Sequence, residues 1–412
     1  MVRFAAGNLR VNRRETLHQP DECCLRGRGF QTCDLMRLSS AFCTVALLAS
    51  LVVRAGEPSV AVSAGAHQGG CHPRTRAMER YAAEPAGVGA GLVLDEHLLT
   101  DASRDQDFNG GGEVTLSGRS AGIFGRALDR ALGVVDEKSC EATGWTALAG
   151  PSGHAFAAGL LVFTPRDLTA RNVVRGDRPY ASLFFVSAGR RYVSPDGTVA
   201  YGTSLTIGVL GLAAAADVQR ALHEITGSVQ PEGWSHQISD GGEPTVRYSL
   251  AREALIGSFG SGPWRGDSKW TGAMSLGTVT EVSVAVNARW GRIESPWWAF
   301  TPEQDMYVQE TQPVPPPLAP GEPPEIFVFA GARLKVRAYN AFLQGQFRHS
   351  DLSYGEGDLN QLLGEAWAGV ELRTASGWAI QYVARWQSAE LRSGIGSRSF
   401  FWGSVEIARS FR

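Results

Sequence analysis

The stretch at residues 281–291, EVSVAVNARWG, decides the fold class. Its even-numbered positions are apolar and its odd-numbered positions are mostly polar, a period of two that is typical of a β-strand with one apolar face. The same alternation runs through 245–250, 333–338 and 377–387. Charges on the polar faces and aromatic residues near the ends of the apolar faces favour a membrane β-barrel with a polar lumen. An ordinary half-buried antiparallel sheet gives the same alternation and is the alternative interpretation.

The last strand of this kind, at 401–411, also alternates and is rich in aromatic residues. Strands that cross a bilayer must close on themselves, because lipid offers no hydrogen-bond partners to an open sheet edge. The Pro-rich stretch 312–324 cannot be the interior of a strand, and predicts a loop before a strand that starts near Ile326. The fold prediction is an all-β, closed antiparallel transmembrane β-barrel over residues 91–412.

The N-terminal part of the chain predicts export. Residues 36–56 combine a basic start, an apolar run at 41–53 and small residues, which is the layout of a signal peptide. The run is shorter than the ~20 apolar residues that a membrane-spanning helix needs; a buried hydrophobic helix is the alternative. We expect either that translation starts at Met36, so that residues 1–35 are not part of the native protein, or that they are a dispensable extension, and we expect 57–90 to be a flexible mature N-terminus. Cys71 and Cys140 stay in the mature chain, where an oxidising compartment allows them to pair.

One segment, at 213–226, breaks the β pattern. Its apolar positions recur at helical spacing, at Val218, Leu222 and Ile225, and Gly227 follows as the expected C′ residue. Gln219 and His223 are four residues apart and therefore share one face of this helix. The plain alternative to a functional site is a loop helix that caps the barrel mouth with a solvated histidine.

Three stretches together resemble the lipid A 3′-O-deacylase family of outer-membrane proteins. The first is LLVFTPRDL at 160–168 with GDRPYASLFF at 176–185, in which Ser182 stands where the family has Gly. The second is VQRALHEITG at 218–227 with GWSHQ at 233–237. It matches the family pattern at Val218, Gln219, His223, Gly233, Trp234 and Gln237. The third is FVFAGARLKVRAYNAFLQG at 327–345, which looks like the family's late strand pair. The resemblance covers roughly residues 90–411.

A fourth stretch departs from the family. The family carries an acidic-Asn-Asp element early in its first strand, and here Glu96 and His97 stand in place of the Asn-Asp pair after Asp95. The resemblance implies a barrel of about twelve strands, with a short helix in a loop at the barrel mouth. It also implies hydrolysis that removes the 3′ acyloxyacyl chain of lipid A.

The resemblance assigns roles to residues of this chain. His223 becomes the general base on water, a task that imidazole can perform near neutral pH, and Gln219 would orient the histidine or the water. Asp95 and Glu96 would be oxygen ligands of a calcium ion, which can stabilise an oxyanion. The implied substrate-binding residues are Arg178, Tyr180, Trp234 and Gln237. For Arg178 and Tyr180 a lumen salt bridge and a girdle aromatic are equally good interpretations.

Two classes of function follow from these observations. The first is a lipid A deacylase of the bacterial outer membrane that acts on lipopolysaccharide. The second is a catalytically silent barrel with a structural or pore role. The chain contains no G-x-S-x-G motif, which argues against a serine esterase. The net charge of −2 shows no basic excess and favours no nucleic-acid partner; we expect a monomer in contact with outer-membrane lipid.

Overall fold

The computed structural model describes residues 89–96, 107–143, 153–194, 196–303, 311–314, 318, 321 and 323–411. Within these residues twelve antiparallel strands form one closed barrel, in which strands that are neighbours in the chain pair and β1 pairs with β12. The strands are β1 (Gly89–Glu96), β2 (Asp107–Ser117), β3 (Gly153–Thr164), β4 (Ala181–Val193), β5 (Val199–Leu210), β6 (Glu243–Ser261), β7 (Trp264–Gly277), β8 (Val279–Arg292), β9 (Glu325–Asn340), β10 (Leu362–Arg373), β11 (Trp378–Gln387) and β12 (Phe400–Ser410).

The predicted all-β closed antiparallel barrel is confirmed. Its first strand begins at Gly89, slightly before the predicted boundary at residue 91. The predicted extension at 1–35, the signal peptide at 36–56 and most of the 57–90 segment lie outside the described residues.

The barrel has two distinguishable ends. We call the end at which β1 begins the lower end, and the end at which β1 finishes the upper end. Because successive strands run in opposite directions, the β3–β4, β5–β6 and β9–β10 connections lie at the upper end. The β2–β3, β4–β5 and β8–β9 connections lie at the lower end.

Apolar side chains cover the outside of the barrel. In β8, Val284, Val286 and Trp290 are 46%, 51% and 49% exposed, whereas Ala285 and Asn287 between them are buried in the lumen. A soluble sheet would bury its apolar face and expose its polar face. The reverse arrangement is that of a membrane barrel and excludes the half-buried sheet as the explanation of the alternation.

Opposite charges pair inside the lumen. The Lys269 ammonium group lies 2.6 Å from a carboxylate oxygen of Glu253 and 2.9 Å from one of Glu303. Lys335 contacts Glu365 in the same way, at 2.9 Å. Buried charges are tolerated when they are paired and hydrogen-bonded, so these pairs fill the lumen with fixed side chains.

Described residues of the β8–β9 connection lie in the lower half of the lumen. Glu303 is fully buried there and accepts hydrogen bonds from Thr271 and Asn287, both at 2.8 Å. Further along, Thr311 passes so close to Gly189 of β4 that a Cβ atom on that glycine would lie 2.0 Å from the Thr311 carbonyl oxygen. We call this connection the plug. The predicted loop before the strand near Ile326 is confirmed, since β9 begins at Glu325.

An aromatic cluster fills the upper half of the lumen. The Phe163 ring lies 4.6 Å from Phe342 and 5.3 Å from Phe108, and Phe108 contacts Trp402. These side chains belong to one buried cluster with residues of β3, β4 and β12. The described part of the lumen is therefore occupied at both ends.

The helices lie in the connections: α1 (Arg119–Phe124), α2 (Arg126–Thr143), α3 (Ala214–Thr226) and α4 (Ala341–Gln344), with short 3-10 turns at Trp234–His236, Trp297–Ala299 and Glu356–Asp358. The helix predicted at 213–226 is α3, and Gly227 follows it with φ of 72° as a left-handed cap. Among the described helices, none has the length and apolar character to span a membrane.

The longest helix, α2, packs on the outside of the barrel near its lower end. Its Leu128 and Leu132 join a buried cluster with Tyr192 and Tyr248, which explains why the predicted strand at 245–250 has only part of its apolar face exposed. Beneath the helix, Asp136 accepts hydrogen bonds from the Tyr192 and Tyr248 hydroxyls at 2.8 and 3.1 Å. The sequence analysis did not identify this helix.

A covalent bond also ties α2 to another part of the chain. Cys140 of α2 forms a disulfide bond whose partner lies outside the described residues. The expected pairing of Cys140 with Cys71 stays a prediction.

Candidate functional site

Helix α3 is seated against the outer wall of the barrel at the upper end. Its Ala215 and Ala216 are buried in a cluster with Val162 of β3, Tyr180 and Trp234. Alanine side chains let a helix backbone approach its support closely. The same face carries Gln219 and His223, each 5% exposed, so α3 presents both polar side chains toward the barrel wall.

The end of α3 sets the orientation of the histidine ring. Gly227 adopts the left-handed conformation, and the N–H groups of Gly227 and Ser228 both donate to the His223 carbonyl oxygen. The chain then turns back, and the carbonyl oxygen of Val229 lies 2.5 Å from Nδ1 of His223. A carbonyl oxygen only accepts hydrogen bonds. Nδ1 therefore carries the proton, and in the neutral ring Nε2 carries the lone pair.

Gln219 lies one turn before His223 and has a fixed amide orientation. Its Oε1 accepts a hydrogen bond from the indole N–H of Trp234 at 2.8 Å. Because an indole N–H can only donate, the oxygen of the amide must face Trp234. The Nε2 group of Gln219 is buried and has no hydrogen-bond partner among the described residues. A buried donor of this kind calls for an explanation, and a ligand oxygen beside His223 would supply the missing acceptor.

Trp234 and Tyr180 form the support beneath Gln219. Their rings lie 4.8 Å apart, and the Tyr180 hydroxyl donates to the Leu168 carbonyl oxygen at 3.2 Å. Gly233 allows this contact, because a Cβ atom there would lie 2.6 Å from the Tyr180 ring. Both aromatic residues are at most 4% exposed. They therefore support Gln219 from its buried side, through the hydrogen bond from Trp234.

Gln237 is buried and joins the loop after α3 to β4. Its Oε1 accepts from the Ser182 hydroxyl and its Nε2 donates to Asp240, both at 3.0 Å. Ser182 thus uses its hydroxyl group at the position where the family resemblance expects glycine. Gln237 holds the loop that carries Trp234.

Arg178 lies apart from this group, in the lumen. Its guanidinium group donates to Glu390 at 2.5 Å and lies 4.4 Å from the centroid of the Phe163 ring. This is the lumen salt bridge that the sequence analysis kept as the alternative to a substrate contact. The structure therefore brings together His223, Gln219, Trp234 and Tyr180, with Gln237 behind them, and places Arg178 elsewhere.

Sequence reasoning missed the backbone acceptor that orients the histidine. Any residue type at position 229 supplies the same carbonyl oxygen, so side-chain chemistry carries no signal for it. The signal that was available is Gly227 followed by Pro231, which predicts a sharp turn directly after the helix.

The expected metal ligands lie on β1 at the upper end of the barrel. The backbone of Asp95 is paired with Gly111 of β2 and Ser404 of β12, and Glu96 is paired with Gly403. Their side chains lie outside the described part of the structure. Among the side chains that are described, no group of three His, Cys, Asp or Glu residues is close enough to hold a metal ion.

The chain is similar to a known protein family and to solved structures over most of its length. The model of the family "Outer membrane protein LpxR" matches residues 101–411. The solved structure of LpxR from Salmonella typhimurium is similar with a TM-score of 0.60 and 14% identity, covering 78% of this chain and 100% of that one.

A more distant likeness is to the β domain of the Bordetella autotransporter BrkA, with a TM-score of 0.36 and 12% identity, covering 79% of this chain and 100% of that one. That TM-score is too low to support a functional argument. No curated protein sequence matches the chain.

Proposed function

The chain belongs to the LpxR family of outer-membrane proteins, and we propose that it is a hydrolase that removes the 3′ acyloxyacyl chain of lipid A. The observation that carries this proposal is the hydrogen bond between Nδ1 of His223 and the Val229 carbonyl oxygen. It leaves the lone pair on the other ring nitrogen, which is the state a general base requires.

The proposed reaction is attack of water on the ester. Nε2 of His223 takes a proton from a water molecule, and the water oxygen attacks the carbonyl carbon. The carbonyl electron pair moves to its oxygen, and the Gln219 Nε2 group donates a hydrogen bond to this oxyanion. When the tetrahedral intermediate collapses, the bond to the alkoxide oxygen breaks, and that oxygen takes the proton from His223. The products are a free fatty acid and a hydroxyl group on the lipid.

Two fixed dipoles support this reaction. The Val229 carbonyl oxygen faces the ring edge that becomes more positive when His223 is protonated, and it therefore stabilises the imidazolium. Trp234 holds the Gln219 amide with its N–H groups away from the indole. Donors that are oriented before the reaction stabilise an oxyanion without reorganisation, and one such donor is typically worth ~10²–10³ in kcat.

The buried aromatic residues and Gln237 act in this proposal as positioning residues. Trp234 and Tyr180 carry Gln219, and Gln237 anchors the loop from which Trp234 projects. Arg178, paired with Glu390 in the lumen, contributes to barrel stability. Lipid A would reach the site from the membrane plane beside α3.

Calcium would supply a Lewis acid that polarises the ester carbonyl group when bound, and Asp95 and Glu96 are the residues with suitable oxygen ligands. The described side chains do not form a cation site, and no step above uses one. Chelation distinguishes a calcium-dependent reaction from one that needs no metal ion. If calcium is required, activity is lost in excess chelator and returns with calcium. Full activity in chelator would show that His223 and Gln219 suffice.

We also propose the orientation of the barrel. Three of the five connections at the lower end, β4–β5, β6–β7 and β10–β11, are short turns, whereas at the upper end β7–β8 alone is short. Short turns in outer-membrane barrels face the periplasm. The upper end, with α3, then faces the outer surface, where lipid A resides. Residues 36–56 would direct export, so N-terminal sequencing of membrane-extracted protein should begin after residue 50.

Among the described residues, the lumen gives no support to a pore role. Residues of the plug occupy its lower half and the Phe163–Phe342 cluster lies in its upper half. A catalytically silent barrel is an outcome of the following test.

The decisive experiment is mass spectrometry of lipid A from cells with and without the protein. We expect a new lipid A species that lacks the mass of the 3′ acyloxyacyl chain. An unchanged lipid A profile with folded protein in the outer membrane would overturn the proposed function. His236→Ala serves as the matched control for a substitution of His223, because His236 pairs with Asp351 outside this site.

A further inference from the structure

Helix α3 has a second apolar face that the candidate site does not use. Its buried face carries Ala215, Ala216, Gln219 and His223. Three other apolar side chains on the helix are exposed: Val218 at 47%, Leu222 at 51% and Ile225 at 83%. They are spaced by four and three residues and therefore form one stripe.

The charged residues of α3 occupy a different stripe. Asp217 and Arg220 pair with each other at 2.8 Å on the surface, and Glu224 is also exposed. At about 100° of rotation per residue, the apolar stripe and the charged stripe lie on opposite flanks of the buried face. A helix whose exposed side meets only water gains nothing from separating apolar and charged residues on two flanks. A helix at a membrane surface places the apolar flank in lipid and the charged flank in water.

The outer wall beneath α3 belongs to the lipid-contacting surface of the barrel. Helix α3 rests on this wall at β3 and β4, where Phe184 packs against its cluster. Val186 lies on the same face of β4 as Phe184 and is 40% exposed, and its cross-strand partner Ile207 of β5 is 45% exposed. Val229, which follows the helix, is 58% exposed.

We infer that α3 is an interfacial helix whose flank of Val218, Leu222 and Ile225 contacts the acyl chains of outer-leaflet lipid. The charged flank of Asp217, Arg220 and Glu224 faces the headgroups and water. The occupant of the apolar flank is lipid, because the helix is seated on the lipid-facing wall of the barrel and its charges are segregated from this flank. This contact goes beyond the proposed hydrolysis and does not depend on it.

The inference has a consequence for the site. An interfacial helix lies with its axis at the boundary between headgroups and acyl chains. His223 and Gln219, on the face toward the barrel, would then sit at the depth of the ester groups of a membrane lipid. A soluble ester would have no comparable way to reach them.

The test places a nitroxide label on each flank of the full chain, in which Cys23, Cys24, Cys33 and Cys43 are replaced by serine, folded into phospholipid vesicles that contain no lipid A. Leu222→Cys and Ile225→Cys report the apolar flank, and Glu224→Cys is the matched control on the charged flank. The protein is kept oxidised so that Cys140 stays in its disulfide. Collision with oxygen, which concentrates in lipid, is compared with collision with a water-soluble nickel complex.

We expect a higher ratio of oxygen to nickel accessibility at positions 222 and 225 than at 224. Equal ratios at the three positions would overturn the inference. Dipolar broadening between labels at 222 would do the same, because it would show that a second copy of the chain covers the flank. A change in gel mobility between boiled and unboiled samples confirms that each labelled protein is folded. Since the vesicles hold no substrate, the outcome is independent of whether the protein hydrolyses lipid A.

Discussion

The indole N–H of Trp234 donates to Oε1 of Gln219, over 2.8 Å and away from solvent. Fifteen residues separate the two side chains in the chain. Their contact determines which end of the Gln219 amide faces the site beside His223. The N–H donor on that side has no hydrogen-bond partner among the described residues, and this feature distinguishes the arrangement from a histidine on a simple capping helix.

Replacing Trp234 by phenylalanine tests this relationship. Trp234→Phe keeps a ring against Tyr180 but removes the donor, so the Gln219 amide can turn and present its oxygen to the oxyanion. We expect kcat to fall by up to ~10²–10³, the usual effect of losing one oxyanion donor, with little change in KM. The measurement is the rate of 3′-acyl release from lipid A in detergent.

Trp297→Phe is the control for that substitution. Trp297 also donates one indole hydrogen bond, to the Gly197 carbonyl oxygen at 2.7 Å, but it does so at the lower end of the barrel. Its loss should leave kcat unchanged. Equal falls in kcat for the two variants would show that Trp234 matters only for general stability.

Replacing His223 by glutamine removes the base and keeps a hydrogen-bonding side chain. A glutamine side chain cannot accept the water proton near neutral pH, and general-base assistance is typically worth ~10²–10⁴ in rate. We expect His223→Gln to lose acyl release by about that factor while the barrel still assembles. His236→Gln, at the Asp351 pair, should keep most of the activity. Activity of His223→Gln within about threefold of wild type, far inside the range for a lost base, would refute the assignment.

Replacing Glu303 tests the plug. Glu303 accepts from Thr271 and Asn287 and pairs with Lys269, all inside the lumen. Removing one partner of a buried ion pair typically costs ~3–5 kcal/mol, so Glu303→Ala should clearly lower the free energy of unfolding in urea. Glu294→Ala breaks a more exposed pair with Arg265, which is typically worth ~0.2–1 kcal/mol. Similar losses in the two variants would show that the plug is not held by Glu303.

The carboxyl group of Asp136 makes the stability of the α2 contact depend on pH. Burial raises the pKa of Asp136 above its usual 3.8, and hydrogen bonds from Tyr192, Thr203 and Tyr248 only partly oppose this effect. The folded protein therefore holds this proton more tightly than the unfolded chain does. The tighter binding of this proton adds to the free energy of unfolding. That contribution is fully present below pH 3.8 and is lost as the pH rises through the raised pKa of Asp136.

Asp136→Asn cannot ionise and should remove that part of the pH dependence. The measurement is the free energy of unfolding in urea between about pH 4 and about pH 7. Asp217→Asn, on the exposed flank of α3, is the matched control for the loss of one carboxyl group. If the free energy of unfolding of Asp136→Asn depended on pH as in the wild type, the Asp136 carboxyl group would not titrate in this pH range.

The strands were predictable because a period of two divides the side chains of a strand into two faces. The sequence places Val284 and Val286 on one face and Asn287 on the other, and the structure shows that the first face is on the outside. Helix α3 was predictable for the same kind of reason, since its apolar spacing and Gly227 are local signals.

Other features depend on contacts between distant parts of the chain. The pairing of Trp234 with Gln219 arises from the path of the loop between them, which no residue type specifies. Helix α2 has Leu128 and Leu132 at helical spacing, but its polar residues mask the pattern, and its contact with Tyr248 lies more than a hundred positions along the chain. The Pro-rich stretch predicts a loop, but nothing in its composition tells that the loop enters the lumen.

The position of α3 on the outer wall of the barrel has a kinetic consequence. A lipid substrate reaches such a helix by lateral diffusion within one leaflet, without passing through the barrel. The encounter is then two-dimensional, and its rate follows the mole fraction of substrate among the surrounding lipids rather than its amount per volume of suspension. Diluting the substrate with inert lipid would slow such a protein, whereas diluting the vesicles with buffer would not.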